Sequence, residues 1–255
     1  GGNYNTVVGD EAGTAITTGD NNTFVGAFSG EVTATTGDNT ALGLSALRNN
    51  VGSYNTALGS LALRTSGNTT YNTAVGYKAG YLVTTGTLNT LIGALSGDSL
   101  TTGNSNVSLG YGSLNADTTG DKSTALGFQA LAVQNFTSNT NTYNTAVGYN
   151  AGVAVSTGVR NTLIGASSGD AITTGVDNVA LGYLSLSAST TGTYNTALGR
   201  SAGQTVTTGV QNTIIGGLSG DALTSSSGNV AVGYASLGAA TTADLNTAVG
   251  HRALT

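Results

Sequence analysis

Residues 71–80 are YNTAVGYKAG, and close copies of this decapeptide recur along the chain. Copies begin at Tyr54, Tyr143 and Tyr194, and a variant begins at Leu245. Aligning the Asn of every copy gives fifteen repeats, with Ser123 replacing the Asn once, and twelve of the fourteen steps between them are 17 residues long. A fixed period in this range is the sequence signature of a solenoid, in which each repeat forms one coil.

The first half of each repeat predicts a short β-strand that ends in a bend. The residues from Asn72 to Val75 place β-branched side chains at alternate positions, which favours a strand. Thr73 and Val75 then share one face, and Asn72 and Ala74 share the other. The next residue is Gly in all fifteen copies, which allows a bend or a close approach of backbones. We therefore predict an all-β chain: a parallel β-solenoid, similar to a β-roll, of about 15 coils of 17 residues.

Stacked coils place equivalent residues about 4.8 Å apart, so each position of the repeat is predicted to form a ladder. The residue three after the Asn, always Val, Leu or Ile, gives an aliphatic ladder, and the Asn side chains give a second ladder bonded from coil to coil. A small Ala or Ser seven after the Asn fits a tight corner, and Thr-Thr-Gly makes the outer turn. The representative ladder residues are Asn72, Val75, Gly76, Ala79, Asn89, Ile92, Gly93, Asn161, Ile164 and Gly165.

The residue two after the Asn predicts contact with a second chain. It is large and apolar in four coils, at Phe24, Leu91, Leu163 and Ile214, and it lies on the strand face opposite the aliphatic ladder. Strands that are apolar on both faces are normally covered on both. Because a thin coil can bury only one face, we expect the other face to pack against another copy of the chain.

Composition narrows the classes of function. Only 7% of the residues are charged and the net charge is −5, which argues against a nucleic-acid partner. The chain has no Cys, so disulfides and thiolate metal sites are excluded. No apolar run reaches the roughly 18 residues of a membrane span. Composition is uniform, so we predict one repetitive segment over residues 1–255, with a four-residue insertion within 132–142, as a fragment of a longer fibre.

The residue pattern does not favour catalysis. His251 is the only His and no repeat supplies it with a partner. The phrase VGYKAG fits the hexapeptide rule of left-handed β-helix acyltransferases, but it occurs once per coil instead of three times. Acidic residues follow Ser-Gly pairs, at Glu31, Asp98, Asp170 and Asp221, and their spacing suits turn capping better than a shared calcium ion or a glycosidase pair. We predict no enzyme, no cofactor and no metal site.

Three surfaces remain candidates for contact with a ligand. Exposed aromatic rings can stack on sugars, which makes Tyr77, Tyr111, Tyr149 and Tyr183 candidates for a glycan receptor. Phe136 is the only aromatic residue of the insertion, and insertions in solenoids map to loops that frequently bind. The recurring Thr-Thr-Gly raises ice binding as an alternative function.

The phrase N-[TV]-A-[VLI]-G-x-x-[AS] resembles the head repeats of trimeric autotransporter adhesins. It is still more similar to the N-T-A-V-G-Y-x-A-G repeats of bacteriophage tail fibres and related bacterial surface fibres, and the similarity covers all 255 residues. The resemblance implies a left-handed coil in a homotrimeric fibre, located on a virion, at a cell surface or otherwise outside the cell. It implies a structural segment that supports attachment to a surface, without enzymatic work in the repeats. The adhesin heads repeat nearer fourteen residues, so this chain departs from them in period.

Overall fold

The computed structural model describes residues 1–239, 241–242 and 244–255, and these residues contain β-strands and no helix. They form a β-solenoid of about 14 turns with a spacing of about 17 residues, which confirms the predicted all-β class and period. No helix able to cross a membrane occurs among them. The strands are β1 (Thr6–Val8), β2 (Thr23–Val25), β3 (Thr40–Leu42), β4 (Thr56–Leu58), β5 (Thr73–Val75), β6 (Thr90–Ile92), β7 (Val107–Leu109), β8 (Gly120–Asp121), β9 (Thr124–Leu126), β10 (Thr140–Asn141), β11 (Thr145–Val147), β12 (Thr162–Ile164), β13 (Val179–Leu181), β14 (Thr196–Leu198), β15 (Thr213–Ile215), β16 (Val230–Val232) and β17 (Thr247–Val249).

The chain divides into two compact units. The first comprises Gly1–Ser123 and Asn135–Thr140, and the second comprises Thr124–Gln134 and Asn141–Thr255. The first unit contains β1–β7 and the second contains β9 and β11–β17. Within each unit successive strands pair in parallel and in register. Partners are 17 residues apart, as with β5 and β6 or β14 and β15, except that they are 16 apart between β3 and β4 and 21 apart between β9 and β11.

The invariant Gly after each strand has two physical causes. Gly76 has φ of 132°, a conformation that side chains rarely adopt, and Gly93 has φ of 127°. A Cβ on Gly76 would lie 2.7 Å from the carbonyl carbon and oxygen of Gly93 in the next coil. The bend therefore requires Gly both for its backbone angle and for the close approach of neighbouring coils.

The strand faces are the reverse of what we predicted. The residue two after the Asn points into the coil, and Ala74 and Leu91 are completely buried within one chain. The aliphatic residue three after the Asn points outward, and Leu109 is 49% exposed. The expectation that Phe24, Leu91 and their equivalents pack against another chain is therefore wrong, because these side chains fill the interior of their own coil.

Two further positions complete the core, and the sequence analysis missed their role. The residue eight after the Asn is either Leu or Gly. In coils where it is Leu, the residue eleven after the Asn is small or polar. In one coil Leu63 fills the interior and Ser66 follows, whereas in another Gly97 leaves room for Leu91 and Leu100. A Cβ on Gly97 would lie 2.9 Å from Leu91 Cδ2. The alternation of Leu and Gly was a visible signal of this shared volume.

The Asn side chains hold each coil to the next and also close each coil on itself. The Oδ1 atom of Asn72 accepts from the backbone N–H of Asn89 at 2.9 Å and from its Nδ2 at 3.1 Å. The Nδ2 atom of Asn72 donates to Asn55 Oδ1 at 3.3 Å and to the carbonyl of Gly86 at 2.9 Å. Gly86 lies near the end of the same coil, so this bond closes the turn. Asn161 repeats the pattern with Asn178 and with the carbonyl of Gly175.

The insertion within 132–142 is folded into the solenoid. Phe136 is only 7% exposed, and its carbonyl accepts a hydrogen bond from the Thr119 hydroxyl at 2.8 Å. The proposal that Phe136 contacts a receptor is therefore wrong, because its ring is buried. Gln134 is also buried, and its Oε1 accepts from Asn144 Nδ2 at 2.8 Å, which supplies the acceptor that an Asn provides in regular coils.

Candidate interaction surface

The outward strand face is the main feature left for function, and it consists of two columns of side chains. The aliphatic column contains the residue three after each Asn: Val8, Val25, Leu42, Leu58, Val75, Ile92 and Leu109 in the first unit, and Leu126, Val147, Ile164, Leu181, Leu198, Ile215, Val232 and Val249 in the second. The threonine column contains the residue one after each Asn, which is Thr except at Val107, Val179 and Val230. We call these two columns together the outward strand face.

This face is accessible along both units. Val8, Leu42, Leu109, Leu181, Leu198 and Val249 are exposed, and the other side chains of the aliphatic column are half-buried. The Oγ1 atoms of the column threonines make no hydrogen bond within the described part of the chain. Apolar side chains and unpaired hydroxyls therefore lie side by side on each strand of the outward face, and neither column fills the interior of the coil.

Tyrosines border the outward strand face on both sides. The predicted contact residues Tyr77, Tyr111, Tyr149 and Tyr183, which follow the Gly, are all about half exposed. A second set precedes the Asn, and its members Tyr54 and Tyr71 stack with ring centroids 4.9 Å apart and planes 1° apart. The stacked pair leaves its outer surface open, so the rings border the face without covering it.

The predicted ladder residues occupy both sides of the coil wall. Asn72, Asn89 and Asn161 are buried, as is Ala79. The outward residues of the same coils are Val75, Ile92 and Ile164, which are half-buried. Gly76, Gly93 and Gly165 have φ between 127° and 132° and form the bend.

The Thr-Thr-Gly corners use one of their two hydroxyls between coils. At regular corners the first Thr donates its hydroxyl to a backbone carbonyl of the next coil, as Thr84 does to Thr101 at 3.2 Å and Thr207 does to Thr224 at 3.2 Å. The second Thr, such as Thr85, is exposed, and its hydroxyl makes no hydrogen bond within the described part of the chain. Free hydroxyls are therefore present at these corners as well as in the threonine column.

The acidic residues that follow Ser-Gly pairs lie on another corner of the coil. Burial raises the pKa of Asp98 and Asp170 above the ordinary value for aspartate. Glu31 forms an ion pair with Arg48 of the next coil, and Arg48 lies over the Phe28 ring at 4.9 Å. Glu31 is therefore tied to the neighbouring coil through Arg48, and turn capping by the acidic residues stays a prediction.

Cations and aromatic rings meet at this same corner in the first unit. The Arg64 Nη1 donates to the Tyr81 hydroxyl at 3.0 Å, and Lys78 Nζ lies 5.5 Å from the Tyr77 ring centroid and 5.3 Å from that of Tyr81. In the second unit His251 stacks on Tyr234 with centroids 5.5 Å apart. Each of these residues pairs with a neighbouring coil or with its own coil, so the contacts add to the stack of coils.

The described residues form no pocket and hold no group of three or more His, Cys, Asp or Glu that could bind a metal ion. Comparison with protein-family models, with curated proteins and with solved structures finds no match to the chain. The repeated coil and its outward strand face are therefore the features of the molecule that bear on function.

Proposed function

We propose that the chain is a structural segment of an attachment fibre, either a bacteriophage tail fibre or the shaft or head of an extracellular adhesin. In this proposal it is located on a virion, at a cell surface or otherwise outside the cell, and it associates with copies of itself. The homotrimer and the left-handed coil implied by the resemblance to such fibres belong to the same proposal.

One observation carries the proposal: within each unit, the regular coils are bound to one another by the same set of Asn hydrogen bonds. Asn72, for example, makes side-chain hydrogen bonds to the coils on both sides and to its own coil. Such a chain behaves as a one-dimensional stack, whose stability comes from contacts between nearest neighbours. A stack of this kind suits a fibre segment that keeps its shape and holds the other segments of the fibre at a distance.

Sedimentation equilibrium together with electron microscopy tests this proposal. We expect a species of three times the 24.9 kDa chain mass that is elongated and resists protease. A homogeneous 24.9 kDa monomer over the accessible concentration range would contradict self-association. Globular particles would contradict the fibre.

Ice binding is a second candidate, and the threonine column favours it. Twelve column threonines present hydroxyls that bond to nothing in the described residues, spaced by the interval between strands, about 4.8 Å. Thermal hysteresis that is lost in Thr162→Leu but kept in Thr157→Leu would support ice binding. Absence of hysteresis at millimolar protein would exclude it.

Direct binding of a cell-surface glycan is a third candidate, supported by the half-exposed rings of Tyr77 and Tyr149. Aromatic rings offer apolar surface to a sugar face and a polar hydroxyl at the rim. A glycan array whose signal is lost in Tyr77→Ala and kept in Lys122→Ala would favour it. An array without any signal would contradict glycan binding by the chain.

A further inference from the structure

We infer that the outward strand face is the interface between copies of this chain, and that the copies run parallel with equal-numbered residues facing a common axis. The inference rests on the proposed function as a fibre of several chains and identifies the surface and the geometry of the association.

One exposed position of the repeat is constant in chemical type along the whole chain. The residue three after the Asn is Val, Leu or Ile in all fifteen coils, although its side chain points away from the interior. The next outward position along the coil varies freely, from Asp10 to Ala94 to Arg200. Because packing inside the coil cannot explain the constancy, the requirement for an aliphatic side chain comes from something outside the coil.

Charge is distributed around the outward strand face and is absent from it. Neither column of the outward strand face contains a charged residue in any coil, while the bordering positions include Asp38, Lys122, Arg160 and Asp177 as well as the tyrosines. Protein interfaces have a similar anatomy, with a core depleted in charge and a polar rim, and Tyr and Arg are enriched in interfaces relative to the rest of the surface. A parallel sheet is also normally covered on both faces, and here one face is left open.

The outward strand face of each unit is large enough for a standard protein interface. A half-exposed tyrosine presents on the order of 100 Å². The second unit contributes eight coils, each with an aliphatic side chain and a Thr or Val, and it is bordered by Tyr143, Tyr149, Tyr183 and Tyr194. Together these side chains offer at least the roughly 800 Å² per partner of a standard protein interface. The first unit by itself has seven coils of the same design.

The period of the outward strand face fits a second copy of the chain as its partner. The face repeats once per coil, at the spacing of parallel strands, about 4.8 Å. A partner without this period could match only one or two coils, whereas a parallel and unshifted copy matches every coil of a unit. A shift by one coil would place Tyr-bordered coils against Ala-bordered ones, as with Tyr149 and Ala166, so the borders favour the unshifted register.

Site-directed cross-linking tests the geometry directly, because the native chain has no Cys. Ile164→Cys places a single thiol on the outward strand face, and Thr157→Cys places one on an exposed corner of the same unit. Packed sheets lie about 10 Å apart, beyond the roughly 7 Å reach of a disulfide, so a short bis-maleimide linker is the appropriate reagent. We expect covalent dimers from Ile164→Cys in at least tenfold excess over those from Thr157→Cys.

A charge substitution provides the second measurement. Ile164→Glu should convert the assembly to a 24.9 kDa species with an unchanged β-sheet circular dichroism spectrum, while Thr157→Glu should leave the assembly intact. If the wild-type chain is itself a monomer, the self-association in the proposed function fails together with this inference. If it assembles but Ile164→Glu assembles equally well and the Ile164→Cys thiols do not link, only the assignment of the face is overturned.

Discussion

Replacing Asn72 by Ala tests the central bond of the coil. The substitution removes the Nδ2 bonds to Asn55 and Gly86 and the two bonds that Oδ1 accepts from Asn89. Four hydrogen bonds at a net value of about 1 kcal/mol each give about 4 kcal/mol. Asn72 is completely buried, so water cannot replace the lost partners. We therefore expect the free energy of unfolding to fall by about 3–5 kcal/mol.

The assay combines a global and a local measurement. A loss of this size corresponds to a decrease in melting temperature of roughly 2–4 °C per kcal/mol for a chain of this length. Because repeat proteins need not unfold in one step, hydrogen exchange should also be followed at the Asn89 amide, which loses its acceptor. Thr73→Ala is the matched control, since its hydroxyl faces outward without a bond. A melting temperature for Asn72→Ala within 1 °C of that control, with the Asn89 amide still protected, would refute the argument.

Three further predictions use pairs of sites or a single carboxyl. Leu91→Ala empties the interior and should cost about 2–5 kcal/mol, whereas Ile92→Ala should cost a single chain less than about 1 kcal/mol; equal losses in urea titration of the monomer would contradict the assignment of faces. Gly216→Ala puts a Cβ 2.4 Å from the Gly233 carbonyl oxygen at φ of 130°, whereas the nearest atom to a Cβ on Gly217 is 3.7 Å away, so only the first should lower the melting temperature strongly. Burial raises the pKa of Asp170, so the folded chain binds this proton more tightly than the unfolded chain, and stability should fall as pH rises from the ordinary aspartate pKa through the folded one. Asp170→Asn should flatten that fall in the urea midpoint, and an unchanged slope would show that the carboxyl does not contribute.

The sequence predicted the period, the strand and the Gly because each depends on the repeat alone. Gly76 needs a backbone angle that other residues avoid, and such a requirement is visible wherever one residue type never varies. The Asn ladder was predictable for the same reason, but the bond that each Asn makes within its own coil was not. The contact between Asn72 Nδ2 and the Gly86 carbonyl depends on how far along the coil the chain returns to its start.

The inside and outside of the strand could not be assigned from alternation. Alternation shows that Thr73 and Val75 share a face, but it does not show which face is enclosed. Val is more apolar than Ala, so hydrophobicity favoured the wrong side. The interior is filled by Ala74 together with Leu side chains from the far wall, such as Leu63, and that shared volume appears only once the coil is closed.

The insertion was misjudged for a related reason. Phe136 lies in an irregular stretch, and irregular stretches in solenoids are usually surface loops. Here its ring replaces part of the core, and Gln134 replaces an Asn acceptor for Asn144. Neither substitution could be recognised before the neighbouring coils were in place.

Each coil closes at the corner where the Asn side chain bonds a carbonyl at the end of the same coil, as Asn72 does with Gly86. This corner also determines which insertions and deletions of residues the repeat tolerates. One step of the repeat, from Asn39 to Asn55, is 16 residues long, and the missing residue falls at this corner. Asn50 compensates there, since its Nδ2 donates to the Gly52 carbonyl at 2.6 Å and its Oδ1 accepts from the Gly52 N–H at 3.1 Å, while Asn39 still bonds that carbonyl at 3.0 Å. Duplication or loss of a whole repeat of seventeen codons keeps the Asn and Gly positions that bond regular coils to one another. Recombination between repeats can therefore change the number of coils without a new Asn contact, although the Leu and Gly positions of the interior must still match.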